Sequence, residues 1–116
     1  MGSENRRSPR YSRQLDVDVD GLEIVTTNVA IGGVQLCCPE MRYPGFQAAR
    51  RGPDDGMQLK IRLPAGQNWL RIAGRIRYAN PCEDEYLIGF QFTGREATPE
   101  GVWAAYIDTL ADAKSI

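Results

Sequence analysis

The stretch Leu15-Asp16-Val17-Asp18-Val19-Asp20-Gly21-Leu22-Glu23-Ile24-Val25-Thr26-Thr27-Asn28 decides the architecture of this chain. Leu15, Val17 and Val19 alternate with three aspartates, a period of two that gives a strand one apolar and one charged face. Asp20-Gly21 follows at the point where a tight hairpin needs two residues that tolerate positive φ. Leu22 to Asn28, rich in β-branched side chains, reads as the return strand. The chain therefore commits early to antiparallel β-structure with one face buried.

The same pattern continues outward. Val34 to Cys38 reads as a third strand, entered through Gly32-Gly33 and stopped by Pro39. Residues 39–56 carry Pro44, Gly45, Gly52, Pro53 and Asp54-Asp55-Gly56, which predicts a long loop with a helical turn around Phe46 to Arg50. Leu59, Ile61 and Leu63 mark a fourth strand. A fifth runs from Trp69 to Ala79, with Leu70, Ile72, Ile76 and Tyr78 opposite Arg71, Arg75 and Arg77. Gly74 interrupts its apolar face, where a bend or bulge is expected. Tyr86, Ile88, Phe90 and Phe92 supply a sixth strand. The period then changes: Thr98-Pro99 has the chemistry of a helix N-terminus, and Val102, Trp103, Tyr106, Ile107 and Leu110 fall at helical spacing. Six strands with one apolar face each need a cover, and closure into a barrel provides it. The expected fold is all-β with a terminal helix: a six-stranded antiparallel β-barrel plus a C-terminal α-helix, spanning residues 14–112. Residues 1–13 lack apolar periodicity and are expected to form a flexible arginine-rich segment.

Composition narrows the function. The 116 residues carry a net charge of −1, which excludes a globally basic nucleic-acid binder. Charge is nevertheless uneven: Arg6, Arg7, Arg10 and Arg13 face only Glu4 at the start, leaving the remainder acidic. A basic arm on an acidic body suggests a local anion site. No apolar run approaches the length of a membrane helix, and no apolar stretch follows the N-terminal basic residues as a secretory signal would require. A cytoplasmic protein without membrane insertion is expected. Cys37, Cys38 and Cys82 make no disulfide framework, and without histidine or a CxxC pair no metal site is expected. The absence of histidine also removes the usual general base. With no GxSxG, P-loop or HExxH motif, neither an enzyme nor a cofactor is expected.

Two segments carry binding chemistry. Arg6-Arg7-Ser8-Pro9-Arg10 sets Arg6 and Arg10 four residues apart, up to roughly 13 Å when extended, and a bend at Ser8-Pro9 brings both onto one small ligand. Guanidinium forks meet phosphate oxygens or the O6/N7 edge of guanine in bidentate fashion. The second segment, Asn28-Val29-Ala30-Ile31-Gly32-Gly33, offers an amide at a strand end and glycines that permit positive φ or close backbone approach.

In this order and on this strand pattern, the two segments resemble the PilZ domain family, marked by RxxxR and then (D/N)xSxxG. Arg6-Arg7-Ser8-Pro9-Arg10 fits the first motif; Asn28 and Gly33 fit the second. Gly74-Arg75-Ile76-Arg77-Tyr78 and Tyr86-Leu87-Ile88-Gly89-Phe90-Gln91-Phe92 are similar to the family's last two strands, and the resemblance extends from Arg6 to about Leu110. It implies a PilZ-like split barrel and a receptor for cyclic di-GMP, a bacterial second messenger of motility and biofilm formation, that signals to a protein partner through movement of its arm. It further implies that Arg6 and Arg10 grip phosphates and guanine edges, that Arg7 assists by stacking, that Asn28 contacts a guanine edge and that Gly33 leaves room for the base. Tyr78 stands where the family often carries an aromatic against a base; strand parity with Ile76 would instead place it in the core. Ala30 replaces the motif's serine and removes a hydroxyl. That departure supports an alternative, an adaptor of the same fold acting through protein contacts without nucleotide. Single-stranded nucleic-acid binding would require aromatics interleaved with Arg71, Arg75 and Arg77, whereas the aromatics follow the core parity, so no nucleic-acid partner is expected.

Overall fold

The computed structural model describes residues 9–48, 56–64, 69–94 and 101–114. Six strands form: β1 (Asp16–Val19), β2 (Leu22–Ala30), β3 (Gly33–Pro39), β4 (Gly56–Arg62), β5 (Trp69–Cys82) and β6 (Glu85–Phe92). They close an antiparallel barrel in the order β1-β2-β3-β6-β5-β4, sealed where β1 pairs with β4 at Val17↔Ile61 and Asp18↔Lys60. The all-β barrel with a terminal helix expected from the sequence is the fold the chain adopts. Asp20 and Gly21 take φ of 53° and 90° in the β1–β2 hairpin, the double positive φ that the Asp-Gly pair makes cheap.

Alternation places Val17, Ile24, Leu36, Leu59, Ile72, Ile88 and Phe90 inside the barrel. A 3-10 turn (Glu40–Arg42) and the helix α1 (Tyr43–Ala48) follow β3, so the helical turn begins three residues earlier than the sequence suggested. Its Phe46 is fully buried, and Tyr43 stacks on Tyr86 at 3.8 Å. At the other extremity α2 (Val102–Lys114) buries Trp103, Ala104, Ile107 and Leu110. Trp103 meets Phe92 edge-on at 5.2 Å and donates its indole N–H to the Ala30 carbonyl at 2.8 Å. Val102, expected on the apolar stripe, is exposed; Ala104 takes the buried position. The Thr98-Pro99 cap lies outside the described residues. No helix among the described residues is long and apolar enough to cross a membrane.

Two expectations need correction. Residues 9–13 are not a free arm: Tyr11 is buried in the barrel core, and its N–H and carbonyl both bond Val29, each at 2.9 Å. The buried Thr26 hydroxyl completes the attachment by donating to the Arg13 carbonyl at 2.7 Å and accepting from the Leu15 N–H at 2.8 Å. A single aromatic and one buried hydroxyl thus dock the segment's end without any periodic pattern. Gly74 marks no bulge; it pairs regularly with Met57 and Phe92, and a Cβ there would collide with the Gln91 carbonyl and the Phe90 ring. Its smallness seats that ring. Of the three cysteines, only Cys38 is buried; Cys37 is half-buried and Cys82 exposed. Burial, followed by the neighbouring Glu85 carboxylate, pushes the Cys37 thiol up to about 11.

Candidate functional site

Two β-bulges build the site. In β2, Thr26 pairs with Leu36 and Asn28 with Gln35, so Thr27 is the extra residue. In β5, Ile76 pairs with Phe90 and Tyr78 with Gly89, so Arg77 is the extra residue. One added residue shifts the two-residue alternation by one step, turning every later side chain to the opposite face. After the first bulge Val29, not Asn28, enters the core. After the second, Ala79 packs on the core and Tyr78 turns outward, 36% exposed. The parity that put Tyr78 inside is therefore broken one residue before it.

The bulged strands flank β3 and β6, and their re-aimed side chains converge. Asn28, Ala30 and Gly33 from β2 and β3, Tyr78 from β5, and Arg10 line one cavity of about 480 Å³. That volume lies in the usual range of small-molecule sites. Arg6 and Arg7 lie outside the described residues. Arg10 reaches the cavity because the Tyr11–Val29 bridge sets the chain beside the end of β2.

Three further lining residues were not singled out by sequence: Gln35, Gln91 and Gly89. Gln35 is a hub. Its side-chain oxygen accepts from the Thr27 hydroxyl at 2.8 Å and from the Asn28 amide at 3.3 Å, while its NH2 donates to the Tyr78 hydroxyl at 2.8 Å. One glutamine thereby fixes a side chain from each bulge. Gln91 accepts from Arg77 Nη1 at 2.7 Å and holds that guanidinium at the cavity. Arg77, read from the sequence as surface charge, thus joins Arg10 as a second cation. Among the described residues no carboxylate lines the cavity, so it favours an anion. Neutral glutamine gives no pattern in a sequence; only the cross-strand register reveals these partners.

Of the two roles open to the glycines, the structure uses close approach and not positive φ. Gly33 has no positive φ, and a Cβ on it would strike the Phe90 carbonyl oxygen, so close approach of β6 requires the glycine. A Cβ on Gly89 would enter the Tyr78 ring, which lies flat over that backbone. Gly32 has open space around it and no positive φ either.

No family model and no curated protein matches the sequence significantly. Solved structures do match. The Bacillus subtilis inhibitor of motility MotI/DgrA aligns with a TM-score of 0.66 at 15% identity, over 95% of this chain and 51% of its own. The Borreliella burgdorferi PlzA protein, solved in complex with c-di-GMP, aligns with a TM-score of 0.52 at 11% identity, over 87% of this chain and 44% of its own. This chain spans about half the length of either protein and shares their fold.

Proposed function

We propose that this chain is a PilZ-type receptor that binds cyclic di-GMP in the bulge-lined cavity and performs no chemistry on it. The observation that carries the reading is convergence: Arg10, Asn28, Ala30, Gly33 and Tyr78, drawn from separate segments, line one cavity. PlzA, which shares the fold, was solved with that nucleotide, which supports the ligand class. Arg10 and Arg77 supply forks for phosphate oxygens and guanine edges. Asn28 presents its amide to a base edge, and the Tyr78 ring offers a stacking surface. Arg6, four residues before Arg10, is within chain reach of the same ligand, and Arg7 adds a third guanidinium from that segment. Closure of these arginines over the nucleotide changes the surface offered to a protein partner. Titration of Arg10→Ala and Arg77→Ala variants with cyclic di-GMP tests the assignment: each is expected to lose about tenfold or more in affinity, from loss of a charge-assisted pair worth ~1.5–3 kcal/mol. Affinity unchanged in both variants would overturn it.

A second reading has one observation in its favour. Ala30 faces the cavity without the hydroxyl of the resembling motif. On that reading the fold is an adaptor working through protein contacts, and calorimetry with the nucleotide would yield no saturable heat.

A further inference from the structure

The outer face of β4 and β5 carries a second, independent arrangement. Lys60 stands directly opposite Arg71, Arg62 opposite Trp69, and Gly56 opposite Arg75. Like charges placed directly across a strand pair destabilise a sheet. Here the Lys60–Arg71 pair persists; Asp18 stands opposite Lys60 on its other side, while among the described residues no carboxylate stands opposite Arg71, Arg75 or Arg62. An external polyanion would relieve that repulsion. Trp69, which nucleic-acid binding would require outside the core, is 38% exposed on the same face, with the Arg62 guanidinium 5.9 Å from its ring centroid. From Trp69 to Arg75 the face runs for about 20 Å at ~3.3 Å per residue, long enough for several nucleotides.

We infer that this face is a docking track for single-stranded nucleic acid, with phosphates on the cations and one unstacked base on Trp69. Arginine forks suit phosphate oxygens, and an indole plane stacks on any base. An acidic peptide would use the cations but offers no flat base to stack on the exposed part of the indole. A duplex hides the base faces that Trp69 needs. The inference does not depend on the cyclic di-GMP reading, because none of these five residues lines the cavity.

Fluorescence anisotropy of the full chain with a labelled 12-nucleotide oligouridylate, its duplex form and a 12-residue polyglutamate tests this. Saturable binding of the single strand is expected, weakening about 50-fold between 50 and 200 mM salt for four phosphate contacts. Trp69→Ala should weaken oligonucleotide binding at least about fivefold through loss of a stacked base. The double variant Arg71→Glu, Arg75→Glu should lose about tenfold or more while keeping a melting temperature no lower than wild type, since a carboxylate at position 71 faces Lys60, and an unchanged cyclic di-GMP response. No saturable oligonucleotide binding at 50 mM salt, equal affinity for polyglutamate or for the duplex, or an unaffected Trp69→Ala variant would each overturn the inference.

Discussion

The contact between Gly89 and Tyr78 offers a test with a worked magnitude. In Gly89→Ala the new methyl carbon would sit 2.7 Å from Tyr78 Cδ2 and closer still to Cε2 and Cζ, far inside contact distance. Backbone paired on both sides of Gly89 cannot yield, because Gln35 and Tyr78 flank it in register. The ring can yield, since its outer edge is exposed. It swings away and breaks the bond from Gln35. One such hydrogen bond is worth ~0.5–1.5 kcal/mol, and a displaced rotamer costs a similar amount, so about 1–3 kcal/mol of stability should be lost. At this chain length that is a fall of roughly 4–12 °C in melting temperature. The barrel remains folded while the cavity loses one wall, so cyclic di-GMP affinity falls too. A double-mutant cycle isolates the cause. With Tyr78→Ala in place the methyl has nothing to strike, and Gly89→Ala should be neutral or stabilising by up to about 1 kcal/mol. Calorimetric melting of the four proteins reads the coupling. An equal loss in both backgrounds would show that the ring is not seated on Gly89 and would refute the reasoning.

Other outcomes follow from single contacts. Ala30→Ser restores a hydroxyl at the cavity and should tighten nucleotide binding about two- to tenfold by titration, the worth of one hydrogen bond. Thr26→Val keeps the shape but leaves the Leu15 N–H without its side-chain acceptor; a loss of about 1–3 kcal/mol in denaturant unfolding and faster amide exchange at Leu15 and Tyr11 are expected. Burial raises the Cys37 thiol from 9.0 to about 11, so in the folded state it stays protonated where an unfolded thiol would ionise. Its contribution to stability is fully present below pH 9.0 and is lost as pH rises through about 11. At pH 8–9 iodoacetamide should therefore label the exposed Cys82 well before Cys37, as peptide mass mapping would show.

Much of the fold was legible because closure of a barrel needs only repeated two-residue alternation, which Val17, Leu59, Ile72 and Ile88 all display. The Asp20-Gly21 turn was equally plain, since few other pairs accept its φ values. The site was less so. Asn28 and Tyr78 face the cavity only because Thr27 and Arg77 are extra residues, and a bulge leaves no compositional mark in the strand that carries it. Alternation counted through Arg77 sends Tyr78 inward; the register sends it out. Gln35 and Gln91 act through partners 43 and 14 residues away, a proximity that exists only after the strands pair. Tyr11 was hidden for another reason: one aromatic among arginines has no period, yet its buried ring, its backbone bonds to Val29 and the Thr26 hydroxyl dock the segment.

Isothermal titration of the intact chain with cyclic di-GMP, run beside cyclic di-AMP and linear GMP, tests the receptor assignment most directly. Saturable micromolar or tighter binding of cyclic di-GMP alone, weakened at least about tenfold by Arg10→Ala, is the expected result. No saturable heat with cyclic di-GMP, or equal uptake of all three ligands, would contradict it.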